Sequence, residues 1–190
     1  MDERRAPGRL AVVGGPMFAG KTTELLRRVE RARIAGREVL VVAHVLDTRH
    51  GSGLVASHAG ARTPSRTVER AAQIPDLVGP STVLVAVDEA QFFGLELVGV
   101  VQALADDGVD VVVAGLTVTF DARPFEPLPT LMALAEDVTR LTAVCTRCGR
   151  DAAYHVRRGD DGTGDALSST ASHVGGPESY EARCRRHRVV

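Results

Sequence analysis

Lysine is nearly missing from this sequence: of its 23 lysine and arginine residues, only Lys21 is a lysine. Cysteine is scarce as well. The three cysteines are an odd number clustered late in the chain, which does not suit a disulfide framework and favours a reducing cytoplasm. No apolar run approaches the roughly 20 residues that span a bilayer. A formal net charge of -1 leaves no general electrostatic pull toward nucleic acid or membrane. No export signal is legible either: residues 1–8 mix charges of both signs with no apolar stretch ending in a cleavage site, and read as a short disordered lead. What is present, 190 residues with 44% hydrophobic and 25% charged content, suits one substantial core or one core plus a small appendage.

The single lysine stands inside Gly15-Pro16-Met17-Phe18-Ala19-Gly20-Lys21-Thr22, between the apolar run Leu10-Ala11-Val12-Val13 and the helix-favouring Thr23-Glu24-Leu25-Leu26-Arg27-Arg28. Strand, glycine-rich turn and helix together are the context of a phosphate-binding P-loop. Backbone N–H groups and the positive end of the helix dipole converge there on a concavity that suits phosphate oxygens. A compact ammonium fits such a cradle where a planar guanidinium does not. Lys21 is therefore expected on the outer phosphates and Thr22 on Mg²⁺.

Further along, residues 23–35 read as an amphipathic helix ended by Gly36, and residues 38–43 as a strand buried on both faces of a parallel sheet. Residues 44–66 are polar and broken by glycine and proline; Asp47-Thr48-Arg49 there is either a ligand edge or a surface loop with a local ion pair. Residues 68–77 suggest a short helix. The strand at 82–87 delivers Asp88-Glu89 to its C-terminal end, a Walker B arrangement in which one acid serves Mg²⁺ and the next can take a proton from the nucleophile. Phe92 and Phe93 follow directly, as core or as a wall for a flat substrate. A helix at 96–105, a strand at 109–115, a loop bearing Phe120 and Phe125, a helix at 128–135 and a last strand at 138–144 complete the pattern. The expected fold is a P-loop, RecA-like α/β sheet flanked by helices over residues 9–144.

Beyond it, Cys145-Thr146-Arg147-Cys148 and Cys184-Arg185-Arg186-His187 flank a Gly-, Ser- and Asp-rich segment. Paired C-x-x-C and C-x-x-H knuckles suit a closed, structural Zn²⁺ site that tethers both ends of a loop, so residues 145–190 read as a small zinc-binding lasso domain. The basic tail from Arg183 to Arg188 has no interleaved aromatics and reads as a solvated, zinc-adjacent terminus. His44, His50, His58, His155 and His173 show no partner pattern, and most are expected to be solvated.

The P-loop with its internal Pro-Met-Phe, Asp47-x-Arg49, Asp88-Glu89-Ala90-Gln91-Phe92-Phe93, Thr119-Phe120 with Arg123-Pro124-Phe125, Leu141-Thr142-Ala143-Val144-Cys145-x-x-Cys148 and Tyr180-x-x-x-Cys184 together resemble the cytosolic-type, zinc-containing thymidine kinases. The resemblance runs from about Gly14 to His187. It implies ATP-dependent phosphorylation of the 5′-hydroxyl of thymidine or deoxyuridine, with Glu89 as general base and Thr22 and Asp88 on Mg²⁺. Nucleotide contacts would come from Gly15, Pro16, Met17, Phe18, Ala19, Gly20, Lys21, Thr22, Thr23, Arg49, Asp88 and Gln91. Met17, Phe92, Leu116, Phe120, Phe125 and Tyr180 would surround the thymine, with Val174, Gly175 and Gly176 of the lasso beside it. A homotetramer is also implied. Against the family's usual pattern, Thr117-Val118 replaces Asp-Gly, His155 replaces a threonine near the base, His187 stands for a fourth cysteine, and the insert around 159–170 is long. A rival reading is a P-loop ATPase or switch whose zinc ribbon binds nucleic acid or protein; a kinase for another nucleoside is a nearer one.

Overall fold

The structure is a computed structural model that describes residues 6–47, 53–57, 60–158, 176 and 178–188. Its centre is a six-stranded, wholly parallel sheet in the order β5-β2-β6-β7-β1-β8. The strands are β1 (Leu10–Gly15), β2 (Glu38–His44), β5 (Arg66–Val68), β6 (Thr82–Val87), β7 (Asp110–Leu116) and β8 (Asp137–Arg140). Alternation along each strand divides two cores. Val12, Val42, Val85, Val87, Val111 and Val113 pack with Leu97, Val101 and Leu104 of α2 (Glu96–Asp106) and with Leu128 and Leu131 of α3 (Leu128–Leu134). Val13, Val41, Ala43, Leu84, Ala86, Val112 and Ala114 pack with Leu25, Leu26 and Val29 of α1 (Lys21–Ile34). Apolar side chains on both faces explain the near-continuous hydrophobic runs of these strands.

The crossover through α1 does not join neighbours: β7 and β6 lie between β1 and β2. Because all strands run the same way, the segments after β1, β2, β6 and β7 gather at one edge, where open α/β sheets place their ligands. Among the described residues, no helix is long and apolar enough to cross a membrane.

Three local expectations are corrected. Residues 68–77 form no α-helix; β5 ends at Val68, and short 3-10 turns cover Ala71–Gln73 and Pro75–Leu77. The Gln73 side chain accepts the Glu69 and Arg70 N–H groups, and Pro75 has no N–H with which to continue a helix. The polar segment 44–66 contains a hairpin of β3 (Leu54–Ala56) and β4 (Arg62–Pro64), anchored by the buried Val55. The last strand is split: β8 stops at Arg140, and β9 (Ala143–Val144) turns away to pair antiparallel with β10 (Asp151–Ala152). The C-terminal part adds the ribbon of β11 (Tyr154–Arg157) and β12 (Tyr180–Arg183).

Candidate active site

The turn between β1 and α1 is held in left-handed backbone at Phe18 (φ 65°) and Gly20 (φ 81°). Gly20 is there for its backbone, since a Cβ would meet nothing within 4 Å. No side chain caps α1, which leaves its first-turn N–H groups to an anion at the mouth of the turn. Lys21 is buried and its Nζ donates to the Pro16 carbonyl at 2.8 Å, folded back along the same turn. The residue set therefore fits a polyphosphate: backbone donors, a helix dipole and a compact cation face one concavity.

Asp88 and Glu89 follow β6 and are both buried. Thr22 Oγ1 donates to Asp88 Oδ2 at 3.0 Å, so hydroxyl and carboxylate stand together as oxygen donors of the kind Mg²⁺ takes. Glu89 sits in left-handed backbone (φ 49°), a costly conformation for a non-glycine residue that occurs preferentially at functional sites. The Gln91 amide clasps it: Nε2 donates to Glu89 Oε2, and Oε1 accepts the Leu116 N–H at 3.0 Å. Gly115 gives this clasp its room, since a Cβ there would stand 2.9 Å from Gln91 Oε1 and 2.7 Å from a Leu128 methyl. Gln91, expected among the nucleotide contacts, thus ties the ends of β6 and β7 together behind the acid.

A second group of residues faces this edge. Tyr180 is buried at the start of β12, with Phe120 at 6.4 Å between ring centroids. Phe120 stands on a self-locked turn in which Arg123 N–H donates to Thr119 Oγ1 at 3.0 Å and Arg123 Nε pairs with Asp121 Oδ2 at 2.6 Å. Sequence reasoning had no signal for this lock, because it depends on how the turn closes. Met17, Phe92, Leu116 and Phe125 are partly buried, and Gly176 accepts the Tyr180 N–H at 3.0 Å. Arg49, Val174 and Gly175 lie outside the described residues, as do His50, His58 and His173.

His44 and His155 are not solvated. His44 is buried edge-on to Phe93 (4.8 Å) and tilted against Phe92 (5.7 Å), while its Nδ1 accepts the Leu46 N–H. Burial lowers its pKa, with the Glu69 carbonyl and carboxylate pulling the other way. His155 is 3% exposed, and burial holds its pKa down at about 3, helped by the Lys21 ammonium and opposed by Glu89. Both signals were hidden because a lone histidine in a short strand looks the same in sequence whether it faces in or out.

These shifts set a direction for acid lability. Between its unfolded pKa near 6.5 and its folded value of about 3, His155 takes up a proton only in the unfolded chain, so stability is lost as pH falls through that window. The drop in unfolding free energy from pH 7.5 to 5.5 is expected to shrink by about 1 kcal/mol in a His155→Phe chain. Urea unfolding at both pH values checks this, and an unchanged drop would contradict it.

Cys145, Cys148, Cys184 and His187 bring their ligand atoms within 4.8 Å of one another. Cys148 Sγ and Cys184 Sγ are 3.7 Å apart, and His187 Nδ1 lies 3.4 Å from Cys184 Sγ and 3.7 Å from Cys145 Sγ. Tetrahedral Zn²⁺ with bonds of about 2.3 Å to sulfur and about 2.0 Å to nitrogen requires edges of about 3.5 to 3.8 Å, so the four ligands fit. Burial would push the Cys145 thiol up, but N–H groups of Cys184, Arg147 and Cys148, with His187, hold it at about 5, suited to a thiolate ligand. Around this cluster Ala143, Ala152 and Ala182 form a small core, against which Phe18 and Ala19 of the phosphate turn pack. That contact joins the two sites and was not legible in the sequence.

A family model described as thymidine kinase matches residues 8–188. A thymidine kinase of Halobacterium salinarum is 46% identical over 187 residues, covering 96% of this chain and 95% of its own. One from Bdellovibrio bacteriovorus is 43% identical over 180 residues (95% and 85%), and one from Deinococcus deserti 42% over 200 residues (96% and 95%).

Proposed function

This chain belongs to the thymidine kinase family, and from that premise we propose that it uses ATP and Mg²⁺ to phosphorylate the 5′-hydroxyl of thymidine and deoxyuridine in nucleotide salvage. The observation that supports this most is the meeting, at one sheet edge, of the phosphate turn's Lys21 and Thr22 with Asp88 and a clasped Glu89. Phosphoryl transfer asks chiefly for positioning and charge neutralisation, and these residues offer both.

In this reading the backbone from Gly15 to Thr23 cradles the triphosphate, and Lys21 leaves the Pro16 carbonyl for the outer phosphates. Thr22 and Asp88 hold Mg²⁺, whose charge would offset that developing on the phosphate oxygens. Glu89 accepts the proton of the 5′-hydroxyl as its oxygen takes the γ-phosphoryl group and ADP departs. Gln91 keeps the carboxylate oriented toward the acceptor. Met17, Phe92, Leu116, Phe120, Phe125 and Tyr180, with Val174, Gly175 and Gly176, hold the base; Arg49 assists at the phosphates. Residues 145–190 act as a zinc-fastened unit on the 9–144 domain, with Cys145, Cys148, Cys184 and His187 binding a structural Zn²⁺. The enzyme works as a cytoplasmic homotetramer.

The test is purified protein with Mg²⁺, ATP and each common nucleoside in turn, scored for 5′-monophosphate. Product from thymidine and deoxyuridine alone is expected. No product from any nucleoside, with ATP still bound, would overturn the reading in favour of a partner-stimulated ATPase.

A further inference from the structure

A phosphate cradle asks of its turn only backbone N–H groups, and where the backbone is left-handed glycine is the least strained residue. Position 18 has such a backbone (φ 65°) and carries a phenylalanine. Its side chain must therefore serve something other than the cradle. The ring, with Ala19, packs against the core of Ala143, Cys145, Ala152, Ala182 and Cys184, two of which belong to the Cys3His cluster. The foot of the same turn is held differently. The Leu141 N–H donates to the Gly14 carbonyl at 2.8 Å, and a Cβ on Gly15 would stand 2.7 Å from the Leu141 carbonyl oxygen. Gly14 and Gly15 are part of β1, so the foot stays with the main sheet, whereas the tip at Phe18 and Ala19 leans on the cluster.

We infer that Phe18 is a positioning residue that couples the Cys3His cluster to the nucleotide. Its ring, seated on the ribbon's core, holds the tip of the phosphate turn in the left-handed shape that ATP binds, so zinc and ATP strengthen each other's binding. This rests on the function proposed above for the use of ATP, and on the fit of the four ligands to Zn²⁺. With the cluster closed around the metal, Cys145 and Cys184 are fixed and the seat for the ring is rigid. Without it, the small side chains of this core give the ring less to rest on, and residue 18 is released toward the negative φ that a phenylalanine prefers. That draws the N–H groups of the turn away from a common focus. Such a coupling is reciprocal: the factor that ATP loses when zinc leaves is the factor that zinc loses when ATP leaves.

The deciding experiment measures both directions on the full chain. Zinc affinity is titrated against a chelator of known strength, with and without saturating ATP in excess Mg²⁺, and ATP affinity is measured by calorimetry on the zinc-loaded and zinc-stripped chain. Each is expected to change by about fivefold, the low end of the usual range for coupled sites. In a Phe18→Gly chain, which suits the backbone and removes the ring, both factors are expected to fall to about one, while Phe18→Leu keeps most of the coupling. A residue that served local packing alone would weaken either ligand without changing the factor between them. Zinc and ATP that bind the unmodified chain independently overturn this inference alone, whether or not Phe18→Gly folds. Full coupling in a folded Phe18→Gly chain overturns the role of Phe18. An unmodified chain that does not bind ATP overturns the inference together with the proposed function.

Discussion

A Glu89→Gln chain is expected to bind ATP as the unmodified chain does and to lose at least about 10²-fold in kcat. The substitution removes the basic oxygen pair and little else. Gln has the size of Glu, and its side-chain carbonyl can still accept the Gln91 Nε2–H that clasps residue 89. Thr22 and Asp88 remain together, so the oxygen donors proposed for Mg²⁺ are untouched. On the proposed function, what is lost is the acceptor for the 5′-hydroxyl proton, a group that matters during transfer and not in ground-state binding. Such a change lowers kcat and kcat/KM together. The left-handed backbone at residue 89 is equally tolerable for Glu and Gln, which separates the chemical effect from a folding one. Single-turnover kinetics beside an ATP-binding isotherm measure both quantities. Undiminished turnover would remove Glu89 from the role of base.

Removing the metal is expected to have the next largest effect, and an uneven one. Stripping zinc by chelation, or replacing Cys184 with Ser, should weaken thymidine binding by about tenfold or more and ATP binding by less. Structural zinc in small ligand sets is worth on the order of 10 kcal/mol to the fold it organises, and the core around this cluster consists of small side chains that cannot replace it. Tyr180 and His155 lie on β12 and β11, the ribbon that runs into the cluster at Cys184. Without the metal their positions loosen together. ATP is expected to feel a smaller change, because only Phe18 and Ala19 of the phosphate turn lean on the same core, whereas α1 and β1 are held by the main sheet. Calorimetric titration of each ligand before and after chelation, with re-addition of Zn²⁺ as control, measures the difference. Equal weakening of both affinities would contradict the assignment of the ribbon to the nucleoside.

The steepest parts of this fold were open to a reading of the residues. Four β-branched runs, at β1, β2, β6 and β7, are continuous because both faces of the sheet are covered, and such runs announce a buried parallel strand locally. The phosphate turn, the paired acids after β6 and the Cys3His set were legible for the same reason: each is a short motif whose chemistry requires fixed spacing along the chain. Weakly periodic stretches were less tractable. At residues 68–77 the side chain of Gln73 competes for backbone N–H groups and Pro75 interrupts, so helix-like composition yields two 3-10 turns.

By itself, then, the sequence determined the four central strands β1, β2, β6 and β7, the phosphate-turn motif and the ligands suited to zinc, because those depend on neighbours in the chain; it did not show β5 or the break after β8. Only the tertiary structure decided that the Gln91 amide reaches from Glu89 to Leu116, that Phe18 and Ala19 rest on the core around the Cys3His cluster, and that His44 and His155 are buried, with their pKa values held down by that burial. Each of these joins residues from different strands or from the two ends of the chain. Burial and electrostatic environment are set by what packs against a side chain in space, and spacing along the sequence carries no record of it.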